Sequence, residues 1–598
     1  MMIFFRFFRV RQQQNAMTFN GYYLMDRQLI LYLLFSFGAV LPLASCATSG
    51  TTSVAASKDE FVAPHEVKSR ALYQFSRARL RLLEGDPDSA LQLIGTAIED
   101  DPDAAYLYLA AASIYMKTSR IQEAIVATEK SVAINPESRQ AQLLLANLFS
   151  MVRRNDEATL HYLKAIELDP AKEDAYLHLS VSYVKLFEYD KAVQILKSYL
   201  ERDPDSTLAN YYLGKSYEQM KLSKEAIVYF KRALVSKPDF EQAFIDLGIS
   251  QESQGLIEDA VTTYRNLLEN NPDNVGVRQH LIQLLIEQQR YDESLALLKE
   301  TAASGHDSND IQRKIGLLYL ELEKYDEAAA LFEALLVKEP DSWQIHFYLG
   351  TAYEGMEQNA KALDEFLKIP PGASIYFETL SHIAYLYLEQ GESETGLNLL
   401  KKAVEAKTGS VEPYLLLSRY LDTLGQPQKG LEVLLGVTTE FAKESRLFFN
   451  IGILYDKIGK RDESIVMMKK VIDMAPDDAQ ALNYLGYTYA EMGVHLPEAL
   501  GYINRALAAS PGDGFILDSL GWVYYKMKKY DLAIVNLQRA LTVVPDDPAI
   551  LEHLGEAYYA SHEYDNAIST YRRLIKQDPD KKEYLDRLKK IRSESGDR

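Results

Sequence analysis

Residues 515–545 read FILDSLGWVYYKMKKYDLAIVNLQRALTVVP. Leu517, Leu520, Gly521 and Tyr524 fall at i, i+3, i+4 and i+7, one face of a helix. Ala533, Leu537 and Ala540 form the matching stripe of a second helix. Pro545 ends it, having no amide hydrogen to donate and a ring that clashes with the preceding turn. A helical pair this small cannot bury its own apolar faces, so its stability requires neighbours of the same kind.

The neighbours are present. Prolines stand at 102, 136, 170, 204, 238 and 272, spaced by 34 residues, and the phase returns at Pro340 and Pro476. After a one-residue insertion it continues at Pro511, Pro545 and Pro579. Numbering the proline as position 32 divides Ala71 to Lys581 into fifteen units. Position 20 is small in all fifteen, and position 8 is Ala, Gly or Ser in fourteen, with Ile282 the exception. These two positions are expected to face each other where the helices of a unit cross, because bulk at both would force the backbones apart.

A 34-residue period with a terminal proline and small residues at positions 8 and 20 resembles the tetratricopeptide superfamily. That resemblance implies an all-α fold, an α-solenoid of about fifteen helix-turn-helix units. Residues 582–598 supply a capping helix and tail, with Tyr584, Leu585, Leu588 and Ile591 on its apolar side. Departures cluster mid-chain: unit seven has Ile282, Ser294 and His306 at signature positions, and units nine to eleven lack the closing proline. Pro370 and Pro371 in KIPPGAS (368–374) are expected to stop the second helix of unit nine early. This reading sets a kink between two subarrays, 71–376 and 377–581, with a hinge as its hypothesis.

Upstream, residues 29–44, LILYLLFSFGAVLPLA, are nearly uncharged but short of the roughly 20 residues a membrane helix needs. Arg6, Arg9, Arg11 and Arg27 precede them, so 1–45 reads as a secretory signal peptide, with Met17 and Met25 as alternative starts. Leu43-Ala44-Ser45-Cys46 then resembles a bacterial lipobox, and Cys46 is the single cysteine of 598 residues. The resemblance implies cleavage before Cys46, its acylation with palmitate-type chains, and an outer-membrane address facing the periplasm, since Ala47 rather than aspartate follows. The alternative is an uncleaved signal anchor. Residues 46–64 are small and polar, a flexible tether of roughly 20 to 25 Å mean span. The first unit also carries Arg70, Arg77, Arg79 and Arg81, read as a solvated outer face.

Composition narrows the function. With 65 Lys and Arg against 85 Asp and Glu, and a net charge of −20, nucleic acid is not the expected partner. One cysteine excludes an intramolecular disulfide and any multi-cysteine zinc site. LGKS (213–216) resembles the end of a phosphate-binding loop, but Ala209 stands where the pattern needs glycine. His178, His280, His382 and His553 share position 6 of widely separated units and form no ligand cluster. No catalytic residue, metal or cofactor is therefore expected.

Binding is expected instead, of proteins or extended peptides. In the family, positions 2, 5, 9 and 12 of the first helix line a concave groove. Carried onto the last four units, these positions hold Phe449, Ile453, Tyr487, Phe515, Trp522, Tyr525 and Tyr559, with Asn483, Asp518, Glu552 and Glu556 among them. Aromatic anchors bordered by polar groups suit a peptide groove, and packing between units is the competing reading for Tyr525 and Tyr559. Lys215, Arg313 and Arg419 are too scattered to form the family's carboxylate clamp. The stretches ALNYLGYTYAEMGVHLPEALGYINRAL (481–507) and LDSLGWVYYKM (517–527) resemble lipid-anchored tetratricopeptide adaptors of periplasmic carboxyl-terminal processing proteases. That resemblance implies a scaffold that delivers envelope substrates to a protease. The alternative is an assembly scaffold for exopolysaccharide export or for a pilus secretin.

Overall fold

The computed structural model describes residues 64–406 and 409–595. The expected signal peptide, Leu43, Ala44, Ser45, Cys46 and nearly all of the tether lie outside the described residues. Within them the fold is all-α, with 31 α-helices, one π-helical turn at Ala302–His306 and no strand. The chain forms two compact units, one ending at Ser182 and one starting at Tyr183, each a run of paired helices.

Local chemistry explains the pairing. Several first helices start on a short polar cap: Asp513 accepts from the amides of Phe515 and Ile516, and Asp547 does the same for Ala549 and Ile550 ahead of Pro548. The first helix of a unit then ends in a left-handed residue at position 15. That residue is glycine at Gly85, Gly255, Gly391, Gly425, Gly459 and Gly493, but Ser119, Arg153, Lys221, Glu323, Lys528 and others adopt the same positive φ. In unit two the amide of Arg120 reaches back to the carbonyl of Tyr115 at 2.8 Å, closing a Schellman turn around Ser119. The inserted residue of unit thirteen lies in this turn, where Gly493 and His495 are both left-handed.

The packing between paired helices refines the sequence reading. Position 20 is buried in every unit, and its carbonyl closely approaches the glycine at position 8: Ala499 lies 3.0 Å and Ala533 3.2 Å from where a Cβ on Gly486 and Gly521 would stand. The space over that glycine is filled by the side chain at position 24. A Cβ on Gly214 would lie 2.6 Å from the Phe230 ring, and one on Gly248 2.4 Å from Tyr264. Units ten and eleven reverse the arrangement. Ala384 and Ser418 occupy position 8, and Gly396 and Gly430 take position 20 against them.

The second helix of unit nine, Asn359–Phe366, stops ahead of Pro370 and Pro371, and Ile369 turns back into the core. At the C-terminal end, helix Lys582–Ser595 buries Tyr584 and Ile591 and half-buries Leu585 and Leu588, as a cap should.

Candidate protein-binding surface

The first helices of units twelve to fifteen are Ser445–Lys457, Ala479–Met492, Gly514–Lys526 and Pro548–Ala560. They bring the expected groove residues onto neighbouring helices but close part of the groove from within. Trp522 is only 9 % exposed. Its indole is sandwiched between Tyr525, with centroids 4.6 Å apart and planes 7° from parallel, and His553 of the next unit, at 4.1 Å and 18°. Nε1 donates to Glu491, and the Lys526 ammonium sits 4.8 Å from the ring centroid. The expectation that Trp522 is an open anchor is corrected: it is a packed wall, because stacking partners from its own helix and the next already cover both faces. Tyr525 is half-buried in that stack.

Asp518 is buried as well, and its Oδ1 pairs with His553 Nδ1 at 2.8 Å. The hydroxyl of Tyr559 donates to Glu594 of the capping helix at 2.6 Å, and the Arg587 guanidinium lies 4.2 Å from its ring centroid. Glu556 accepts from the Tyr571 hydroxyl at 2.5 Å and from Arg587, so it too is used internally. Burial and the carboxylates of Glu491, Asp518 and Glu552 push the Tyr487 phenol up to about 12.

What remains open is a smaller set. Phe515 is 46 % exposed, whereas Phe449, Ile453 and Tyr487 are half-buried against the core below them. Asn483 at position 5 keeps its Oδ1 buried without a hydrogen-bond partner. That atom is covered by the chain itself, so an extended segment laid along these helices meets chiefly Phe515 and Tyr487, to which it offers apolar side chains.

Lys215 pairs with Glu218 at 2.6 Å and Asp246 at 3.3 Å, and Arg313 with Asp310 and Glu339 at 2.6 and 2.7 Å, so neither is a free clamp. The position-6 histidines stitch units together: His280 bonds Glu252 at 2.8 Å and His382 bonds Glu354 at 2.7 Å. Glu252 also accepts from Tyr264 at 2.5 Å, and its hydrogen bond raises the His280 pKa against the opposing pull of burial. Among the described residues no group of three or more His, Cys, Asp or Glu is arranged to hold a metal ion.

Family models described as tetratricopeptide repeat match residues 81–148, 174–206, 209–240, 252–318, 313–374, 449–514 and 551–581, and one described as TPR repeat matches 521–562. This chain is a tetratricopeptide-repeat protein. A TPR repeat-containing protein of Pseudomonas aeruginosa is 28 % identical over 176 residues, 29 % of this chain and 30 % of its own length. Tetratricopeptide repeat protein 8 of Caenorhabditis elegans is 23 % identical over 158 residues, covering 26 % of this chain and 31 % of that one. The chain thus spans about a third of the length of the curated relatives it matches. The solved Naa15/Naa10 complex bound to HypK-THB aligns over 88 % of this chain and 96 % of its own, at 13 % identity and a TM-score of 0.36, a likeness too loose to speak to function.

Within the tetratricopeptide units, sequence reasoning missed His553. The signal that exposes it is spacing: position 6 of one unit lies beside positions 5 and 9 of the unit before, here Asp518 and Trp522. The tetratricopeptide array is accordingly a protein-protein interaction scaffold, and its open surface is narrower than the family's groove positions imply.

Proposed function

We propose that the chain is an outer-membrane-anchored, periplasm-facing scaffold that captures extended protein segments along units twelve to fifteen and delivers envelope substrates to a carboxyl-terminal processing protease. The observation that carries the binding half is the exposed ring of Phe515 on a surface where Phe449, Ile453 and Tyr487 of the same run of first helices are only half-buried. An exposed aromatic set among half-buried apolar side chains gives an extended peptide an anchor that gains burial on docking. The anchored half rests on the lipobox resemblance at Leu43–Cys46 and the polar tether after it.

Two measurements test it. Mass spectrometry of the membrane-extracted protein should find acylated Cys46 at the mature amino terminus, and an unmodified, uncleaved chain overturns the anchor. Capture of the processing protease and its substrates should weaken roughly ten- to hundredfold with Phe515→Ala or Tyr487→Ala. Recovery of no protease, with unchanged substrate turnover on deletion, overturns the adaptor reading. Cross-linking to an export channel or secretin subunit would favour the assembly-scaffold alternative.

A further inference from the structure

The first described helix, Pro64–Leu83, is unlike the rest of the chain. It holds Lys68, Arg70, Arg77, Arg79 and Arg81 and one carboxylate, Glu66, in a protein whose net charge is −20; Arg70 pairs with Asp100 and Arg81 with Glu84, which leaves Lys68, Arg77 and Arg79 as its surplus charge. One face packs normally, with Ala71 and Ala78 buried and Ala71 set against Ala97 of the next helix. A second face does not. Leu72, Tyr73, Leu80 and Leu83 are 55, 61, 59 and 85 % exposed. At 100° per residue they share a sector about 100° wide. Lys68 and Arg79 border that sector on one side, and Arg77, Arg70 and Arg81 lie beyond its other edge.

We propose that this helix lies on an anionic phospholipid bilayer, inserting Leu72, Tyr73, Leu80 and Leu83 at the headgroup boundary while the flanking arginines engage phosphates. Charge complementarity selects that occupant. A basic, apolar-striped helix is the composition of an interfacial helix, and long arginine side chains keep their charge at the headgroups while their stems cover apolar surface. A second copy of the chain docking on the same face would bring two sets of Lys68, Arg77 and Arg79 together, which like-charge repulsion opposes. No described helix is long and apolar enough to cross a membrane, so the contact is with the surface. The inference goes beyond the anchor at Cys46 and does not depend on its acylation.

The test uses the full chain carrying Cys46→Ser and Leu80→Cys, so that a polarity-sensitive fluorophore sits on one thiol and acylation is absent. A matched chain carries the label at Val337→Cys, on an exposed position of helix Tyr325–Lys338. Phosphatidylcholine vesicles with about one part in three phosphatidylglycerol should blue-shift the label at 80 but not at 337, with the shift weakened by salt. Adding Arg77→Gln, Arg79→Gln and Arg81→Gln should lower that partitioning roughly a hundredfold while the buried Ala71–Ala97 contact keeps its hydrogen-exchange protection. No shift at 80, or an equal shift on pure phosphatidylcholine and in the triple variant, overturns the proposal. A shift present without vesicles also overturns it: one independent of concentration assigns the face to the chain's own apolar run 29–44, and one that grows with concentration assigns it to a second copy.

Discussion

The two terminal helices solve opposite problems. Lys582–Ser595 tucks Tyr584 and Ile591 onto the last unit and sends Arg587 to Glu556, so the array ends with its apolar surface covered. Pro64–Leu83 fully buries only Ala71 and Ala78, half-buries Phe75 and Leu82, and leaves Leu72, Tyr73, Leu80 and Leu83 in the open. A stack of repeats needs a polar outer face at each end to remain soluble. The C-terminal helix meets that need with side chains of its own, whereas the N-terminal helix presents a surface that something else must cover.

Truncating equivalent apolar residues at the two ends should give very different losses of stability. Ile591→Ala should cost about 2 to 4 kcal/mol in the local opening of units fourteen and fifteen, read by native-state hydrogen exchange, because the site is fully buried. Leu83→Ala should stay within about 0.5 kcal/mol in solution. Equal effects would mean that the two ends are packed alike.

A smaller contrast follows from glycine. A Cβ on Gly555 would lie 2.8 Å from the Tyr571 ring, which cannot swing clear without losing its bond to Glu556, so Gly555→Ala should cost about 1 to 2 kcal/mol. Gly95, on helix Pro87–Asp100, faces open space, and Gly95→Ala should instead stabilise its helix by about 0.5 to 1 kcal/mol. Paired urea titrations of the two variants check the change of sign.

Between the ends, His280 tests the stitching of units six and seven. Its folded pKa is raised, chiefly by the bond to Glu252, so its stabilisation is complete below the unfolded value near 6.5 and disappears as pH rises through the folded value. His280→Gln should therefore destabilise more at pH 6 than at pH 8.5. Partial exposure of the pair limits the difference to about 1 kcal/mol at most. The smallest effect is expected in the turns. Ser119→Gly and Lys528→Gly should each gain about 0.5 kcal/mol, because both residues hold a left-handed conformation that disfavours a Cβ. Similar gains near both ends would show that the difference between them is confined to the outermost faces.

The periodic features were legible in advance: unit boundaries, small residues at position 20, the cap and the early stop before Pro370. Each depends on residues within one unit and on rules of helix periodicity. What was not legible involves side chains about one period apart. His553 closing over Trp522, Glu491 holding its indole and Glu594 reaching Tyr559 all join one unit to the next. Reading groove positions helix by helix took Trp522 as an anchor and left Tyr525 and Tyr559 open between groove and packing. Position 24 was missed for a related reason: Phe, Tyr, Met, Ile and Leu all occur there, and their common task shows only in the glycine they cover.

The sandwich around Trp522 has a practical meaning for anyone who next handles the protein. Only two tryptophans exist, and Trp343 lies in a separate apolar cluster. Intrinsic emission therefore reports on two spots, and one of them forms a wall of the candidate peptide surface. A ligand that merely settles on Phe515 should leave that light unchanged, whereas one that pries His553 from the indole should announce itself by colour, with no label attached.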